Sequence, residues 1–183
     1  MLTNLVLASL GGVAMAADVS TDSSAEIVLG AGAVPGTGDP STFRFGFRAE
    51  LPVASGDVAG AGVVLPIEFG TSGEDGWGFQ ARYTAMELAP SMRGRLFPDS
   101  VVRPYGDLGL GIVYRFSDVD TWFGSVDSAQ TAFMARSALG IEIGGRDPGS
   151  VALVLEPIGY RHYGLDGDGA DVYAAMAGIQ FPL

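Results

Sequence analysis

Any acid–base chemistry at an imidazole in this chain must use His162, the only histidine. It stands in the stretch GYRHYG, residues 159–164. A Ser-His-acid site would need it as base for Ser117, Ser125 or Ser128. A His-x-Ser spacing would point to a lipid deacylase, but Gly164 occupies the place where the serine is needed. The plainer reading of His162 is a rim histidine beside Tyr160 and Tyr163.

The stretch DGDGAD offers Asp166, Asp168 and Asp171 as oxygen ligands for calcium. It departs from the EF-hand loop, because position five is Ala170 and position six is Asp171 rather than glycine. An acidic, solvated hairpin loop is the better account, with weak divalent-cation binding as the alternative. MRGRLFPD carries Arg93 and Arg95 and reads as a turn, with a polyanion contact as the alternative. GAGAVPGTG is glycine-rich, yet no helix follows it, so it is no phosphate loop. The chain has no cysteine, which excludes disulfides, thiol catalysis and Cys-ligated metals. No catalytic, cofactor or metal site is expected.

The elements that position these residues follow from composition. The 183 residues suit one domain, and 28 of them are glycine and 10 proline, which favours many turns over long helices. Only 17% are charged, against about 25–35% on a soluble surface, while mean hydropathy is +0.30. The net charge of −11 argues against nucleic acid as a partner. At the start, Leu5 to Val13 is apolar and Ala14-Met15-Ala16 resembles a cleavage site. Residues 1–16 therefore read as a signal peptide, although a basic n-region is missing, and 17–183 as the mature domain. Beyond them no run of about 18 apolar residues occurs, so a membrane span would have to be built from strands.

Eight alternating segments are predicted, over 25–34, 42–51, 60–70, 77–88, 102–116, 130–144, 151–163 and 171–183, joined by turn-rich stretches. One face of this period-two pattern is apolar. The other carries Glu26, Arg44, Arg48, Glu50, Glu68, Arg82, Arg103, Asp107, Arg115, Arg136, Glu142 and Glu156. Pro157 leaves strand seven open: a bulge there would turn Arg161, rather than His162, to the side of Glu156.

Which face is inside decides the protein. In a soluble barrel the apolar face lines the interior; in a membrane barrel it meets lipid and the charges fill the lumen. The charged face balances six arginines with six carboxylates, as enclosed charges must nearly do. Glycines intersperse those charges, where a narrow eight-stranded interior has little room. Aromatics gather at one end of the apolar face: Phe43, Phe69, Trp77, Phe116, Phe133, Tyr163 and Tyr173 form an aromatic girdle. Leu108 to Phe116 spans roughly 30 Å at about 3.3 Å per residue, or about 23 Å of height at a tilt near 40°.

The fold expected is therefore all-β, an eight-stranded antiparallel up-and-down transmembrane β-barrel. RPYGDLGLGIVYRF, residues 103–116, followed by a hairpin and a closing strand, resembles the bacterial outer-membrane β-barrel family of OmpA- and OmpX-type proteins. The ending MAGIQFPL is similar to that family's C-terminal signal for the barrel assembly machinery. Gly178, Phe181 and Leu183 match it; Met176 replaces the polar residue and Leu183 is not aromatic. The resemblance implies the outer membrane of a Gram-negative bacterium, with the lipid bilayer and lipopolysaccharide as surroundings and a monomeric state. No peptidoglycan-binding domain is expected after strand eight, so that role of OmpA-type proteins is not carried over. The function expected is structural or surface-interactive, through loops at 35–41, 71–76, 117–128 and 164–170. Trp122 and Phe123 are the contact candidates for an extracellular protein or glycan, against the plainer reading that Trp122 dips into the headgroup belt. The alternatives are a narrow channel for small or apolar solutes, a lipid-modifying enzyme at His162, and a soluble lipocalin-like ligand-binding barrel. No cofactor is expected.

Overall fold

A computed structural model describes residues 23–33, 42–77, 79–145, 150–164 and 169–183. The signal-peptide segment, the loop at 35–41, Asp166 and Asp168 lie outside the described residues.

The strands are β1 (Ser24–Ala33), β2 (Thr42–Ser55), β3 (Ala59–Gly76), β4 (Phe79–Leu88), β5 (Ser91–Leu96), β6 (Val102–Thr121), β7 (Gly124–Gly144), β8 (Ala152–Gly164) and β9 (Ala170–Pro182). All pairings are antiparallel between sequence neighbours, apart from β4 and β5. Those two lie end to end between β3 and β6 and act as one interrupted strand. β9 pairs with β1, so eight strands close into a ring and leave no unpaired sheet edge among the described residues. Gly178 and Phe181 sit on that closing seam, opposite Val28 and Ala25.

The interruption falls at Pro90, which has no N–H to give to the ladder. The chain nevertheless resumes in the same direction, and Leu110 N–H donates to the Pro90 carbonyl across the gap. Arg93 and Arg95 therefore belong to a strand and not to a turn, which corrects the sequence reading. Close approach at this point requires glycine: a Cβ on Gly111 would run into the Leu88 carbonyl.

Side-chain direction is inverted relative to a soluble protein. Ile27, Leu29, Phe47, Leu65, Leu108, Leu110, Leu139 and Ile179 face outward, whereas Glu26, Arg48, Glu68, Asp107, Arg136 and Glu142 are buried. The apolar face is the outside, which rules out the lipocalin-like arrangement.

The two ends differ. The lower end has short turns, at 56–58 and 97–101. At the upper end β6 and β7 continue past Phe116 and Phe133 to Thr121 and Gly124, and the β3–β4 hairpin rises alongside, with β4 paired to β6 as far as Phe79 opposite Thr121. The segments at 71–76 and 117–128, expected as loops, are thus largely strand, and only Trp122 and Phe123 form the β6–β7 turn.

Candidate functional site

Two places bring functional side chains together: the barrel interior and the upper hairpin tips. In the interior, period-two alternation aims every second residue of a strand at the axis, and the long charged side chains among them meet there. Seven arginines (44, 48, 93, 95, 103, 136, 161) meet seven carboxylates (Glu26, Glu50, Glu68, Glu87, Asp107, Glu142, Glu156) in one connected set of ion pairs.

Arg93 is the hub. Its guanidinium donates to Asp107 at 2.8 and 2.9 Å, reaches Glu50 and Glu142 at 3.3 Å each, and also pairs with Glu26. It lies 4.2 Å from the centre of the Tyr105 ring. From β5 it thus contacts β1, β2, β6 and β7. Glu68 is the second hub and accepts from Arg48 at 2.8 Å, Arg136 at 2.8 Å and Arg161 at 2.5 Å. Towards the lower mouth, Arg95 and Arg103 hold Glu142, Arg103 at 3.0 Å, and Arg95 also pairs with Glu50. Glu87 closes the upper end of the set, paired with Arg44 and accepting from Arg161 at 3.0 Å and Tyr163 at 2.5 Å. Next to it, Ala89, Val113, Ala132, Met134, Tyr163 and Val172 pack into an apolar cluster inside the barrel. Gly140 is where the ring of Tyr105 needs space, since a Cβ there would strike it.

Three expected placements are overturned, those of Arg82, Tyr163 and Trp77, the last of which lies past the girdle in the turn after β3. Arg82 is exposed on the outer wall, and the inward side of β4 carries Ala81 and Glu87 instead. Tyr163 is buried in the interior and is not a girdle residue. The cause is a register shift between Glu156 and Gly159, at Pro157, which turns Arg161 and Tyr163 inward and His162 outward. Arg115 is only half-buried and has no carboxylate partner among the described residues; its guanidinium lies 6.0 Å from the centre of the Tyr83 ring. Arg93, Arg95, Glu87 and Arg161 enter the set without having been placed in it from sequence. Only the Pro157 argument could have found one of them, Arg161.

On the outer wall near the upper rim, Phe43, Phe116, Phe133 and Tyr173 are exposed and Phe69 is half-exposed. Phe45 stacks on Phe69 at 5.0 Å, and Tyr160 lies against Tyr173 at 5.4 Å. Here His162 Nδ1 lies 2.8 Å from Asp171 Oδ1, and Tyr160 donates to the same oxygen at 2.8 Å. No hydroxyl lies within hydrogen-bonding distance of His162 Nε2 among the described residues. An acid and a base meet; a nucleophile does not join them.

At the tip, Thr121 organises the β6–β7 turn. Its hydroxyl donates to the Gly124 carbonyl at 2.8 Å and accepts the Phe123 N–H at 3.3 Å. Gly124 has φ of 141°, a conformation that favours glycine. This turn holds Trp122 and Phe123 outward, 73% and 100% exposed. Trp77, in the turn after β3, is 95% exposed, and its ring centre lies 5.6 Å from that of Trp122. The chain's two tryptophans therefore meet at one spot.

An all-antiparallel ring of eight strands, apolar outside and charged inside, defines a transmembrane β-barrel of the outer-membrane type. Solved structures agree in fold. Neisserial surface protein A is similar at 17% identity with a TM-score of 0.52, over 87% of this chain and 95% of that one. Ail, the attachment invasion locus protein of Yersinia pestis, in complex with the heparin analogue sucrose octasulfate, is similar at 15% identity and TM-score 0.51, over 88% and 97%. The outer membrane enzyme PagL is similar at 13% identity and TM-score 0.52, over 87% and 99%. No family model matches the chain, and no curated protein matches it. One fold thus covers an attachment protein and an enzyme, so function has to be argued from the sites.

Proposed function

We propose that this chain is an integral outer-membrane barrel of a Gram-negative bacterium that acts by surface contact through its upper hairpin tips and performs no catalysis. The carrying observation is the meeting of Trp77 and Trp122 in solvent, held there by two separate turns, with Phe123 fully exposed next to Trp122 in the chain. Large exposed apolar patches rimmed by polar groups mark interaction sites, and aromatic anchors dominate such contacts. In outer-membrane barrels the long connections are extracellular and the short turns periplasmic, which puts these rings outside the cell. Phe43, Phe69, Phe116, Phe133 and Tyr173 then form the girdle at the outer interface, next to lipopolysaccharide. Gly178, Phe181 and Leu183, at the closing seam and just beyond it, serve as the signal to the assembly machinery.

The ion-pair set is a plug. The guanidinium side chains of Arg93 and Arg48, aimed at the axis from the two strands that flank β3, are fully buried, which speaks against the channel. The His162–Asp171 pair favours a lipid-modifying reading, but the absence of a hydroxyl at Nε2 among the described residues leaves that pair a polar clasp on the rim.

The test is a binding panel of basic proteins, acidic proteins, neutral glycans and sulfated glycans, offered to the protein in nanodiscs. At least one member should bind wild type and lose binding to the Trp122→Ser/Phe123→Ser variant, with the barrel still formed. If no member distinguishes the two proteins, the surface-contact reading fails. Steady conductance of the wild type in planar bilayers would contradict the plug.

A further inference from the structure

We propose that the aromatic tip takes an arginine- or lysine-bearing polypeptide segment and repels sulfated or otherwise anionic glycans. This rests on the surface-contact reading and names the chemistry of the partner.

The rings do not stand alone. Three ladder positions below the Thr121–Gly124 pair, Asp118 and Asp127 face each other across the β6–β7 ribbon, both exposed. Asp120, also exposed, lies one turn-ward position along on the same face. Glu74 and Asp75 precede Trp77 in sequence on the neighbouring hairpin. Like charges directly opposite in a ladder oppose pairing, so the ribbon holds an arrangement that a cation would relieve. The cations of the vicinity are few. Arg82 is exposed at the register position opposite Asp118, without an ion pair to it, and Arg115 lies lower, beside Tyr83.

Ring faces carry negative quadrupole density and attract ammonium and guanidinium groups, tryptophan most strongly. Two indoles inclined at 44° offer such faces at the top of the strand that carries the exposed Asp118 and Asp120, with Asp127 opposite Asp118. Arginine adds planar stacking to charge and suits the spot better than lysine. The other occupants fit less well. A sulfated sugar would meet the aspartates. A second copy of the chain would bring the same carboxylates against them, in a protein of net charge −11. A neutral sugar could stack on the rings but would leave the carboxylates without a role. Immersion in the girdle layer does not fit the geometry either. Thr121 lies beyond Phe116 by roughly 16 Å of strand at about 3.3 Å per residue.

The experiment uses the full barrel in nanodiscs of zwitterionic lipid, with a nona-arginine peptide, nona-lysine, heparin and maltoheptaose as probes. Binding is read from the fluorescence of the two tryptophans and, for the Trp-less variant, from labelled-peptide anisotropy. Nona-arginine should bind, more tightly than nona-lysine and more weakly as salt rises. Its affinity should fall roughly tenfold or more in Trp77→Ser/Trp122→Ser/Phe123→Ser, whose net charge is unchanged. A loss of similar size is expected in Asp118→Asn/Asp120→Asn/Asp127→Asn. A heat-dependent shift in electrophoretic mobility, as in wild type, confirms that each variant is folded. Peptide affinity unaltered by the aromatic substitutions would show general attraction to an acidic protein and overturn the proposal. Heparin binding at the tip would overturn it too. Tip-dependent binding of maltoheptaose without the peptide would remove it while leaving the surface-contact reading intact.

Discussion

Arg93 has no exposed surface, whereas Phe123 is exposed in full, and the two mark regions built on opposite terms. Around Arg93 charges are shut away from water and survive because each carboxylate of the set has an arginine beside it. Around Phe123 large apolar rings stand in water with nothing packed over them. The interior joins strands that are distant in sequence, such as β1 to β5 and β2 to β8, so its contacts set the shape and resist change. Trp122 and Phe123 stand exposed in a tight turn beyond the end of the ladder, so they can be exchanged without disturbing the barrel. Fold energy is concentrated in the first region, and the recognition proposed above belongs to the second.

The strongest way to break that division is at the hub. Arg93→Met preserves much of the volume but leaves Glu26, Glu50, Asp107 and Glu142 facing one another. Stripping one partner from a buried ionic set costs about 3–5 kcal/mol, and the unfolding midpoint in urea, measured in lipid vesicles, should fall accordingly. Arg136→Ala should cost less. Its Nη2 has no hydrogen-bond partner among the described residues, only carboxylates at 3.6 and 3.9 Å, although Nη1 donates to Glu68 at 2.8 Å. Leu139→Ala, on the lipid-facing wall, should cost less again, since the methyl groups it loses contact solvent-like lipid rather than a packed core. A severe loss at Leu139 with none at Arg136 would mean the faces are reversed. Arg82→Ala should be within about 0.5 kcal/mol of wild type in the same assay, as for other exposed sites away from special features. A large loss there would restore Arg82 to the lumen. The tip substitutions should leave the midpoint unmoved.

Much of this was readable in advance, and the misses share a cause. In β1, β2, β6 and β7 the alternation is sharp: Glu26 against Ile27, Arg48 against Phe47, Asp107 against Leu108, Glu142 against Ile141. In β4 the contrast collapses. Arg82 and Glu87 are of opposite parity, and the inward side is mostly Ala81, Tyr83 and Ala85, so charge alone picks the wrong face. Prolines account for the rest. Pro90 interrupts a ladder without turning the chain, which hid Arg93 and Arg95 in an apparent turn. Pro157 shifts the register of β8, which turns Tyr163 inward with Arg161. A period-two reading has no means to count a residue dropped from the ladder. At the tip, Trp122 and Phe123 were recognisable because they sit amid aspartates, but the arrival of Trp77 beside them depends on how high two hairpins rise, and no local pattern encodes that.

The division between a charged interior and a wet aromatic tip can be tested directly, because the chain has only two tryptophans and both are at the tip. Their emission should be recorded in vesicles of ordinary lipid and of lipid brominated along the acyl chain. The expected result is a red-shifted, water-like spectrum that bromolipid does not quench and that soluble iodide or acrylamide does. A blue-shifted spectrum quenched by bromolipid would place Trp77 and Trp122 within the bilayer boundary as membrane anchors, and would contradict both the exposed tip and the surface contact built on it.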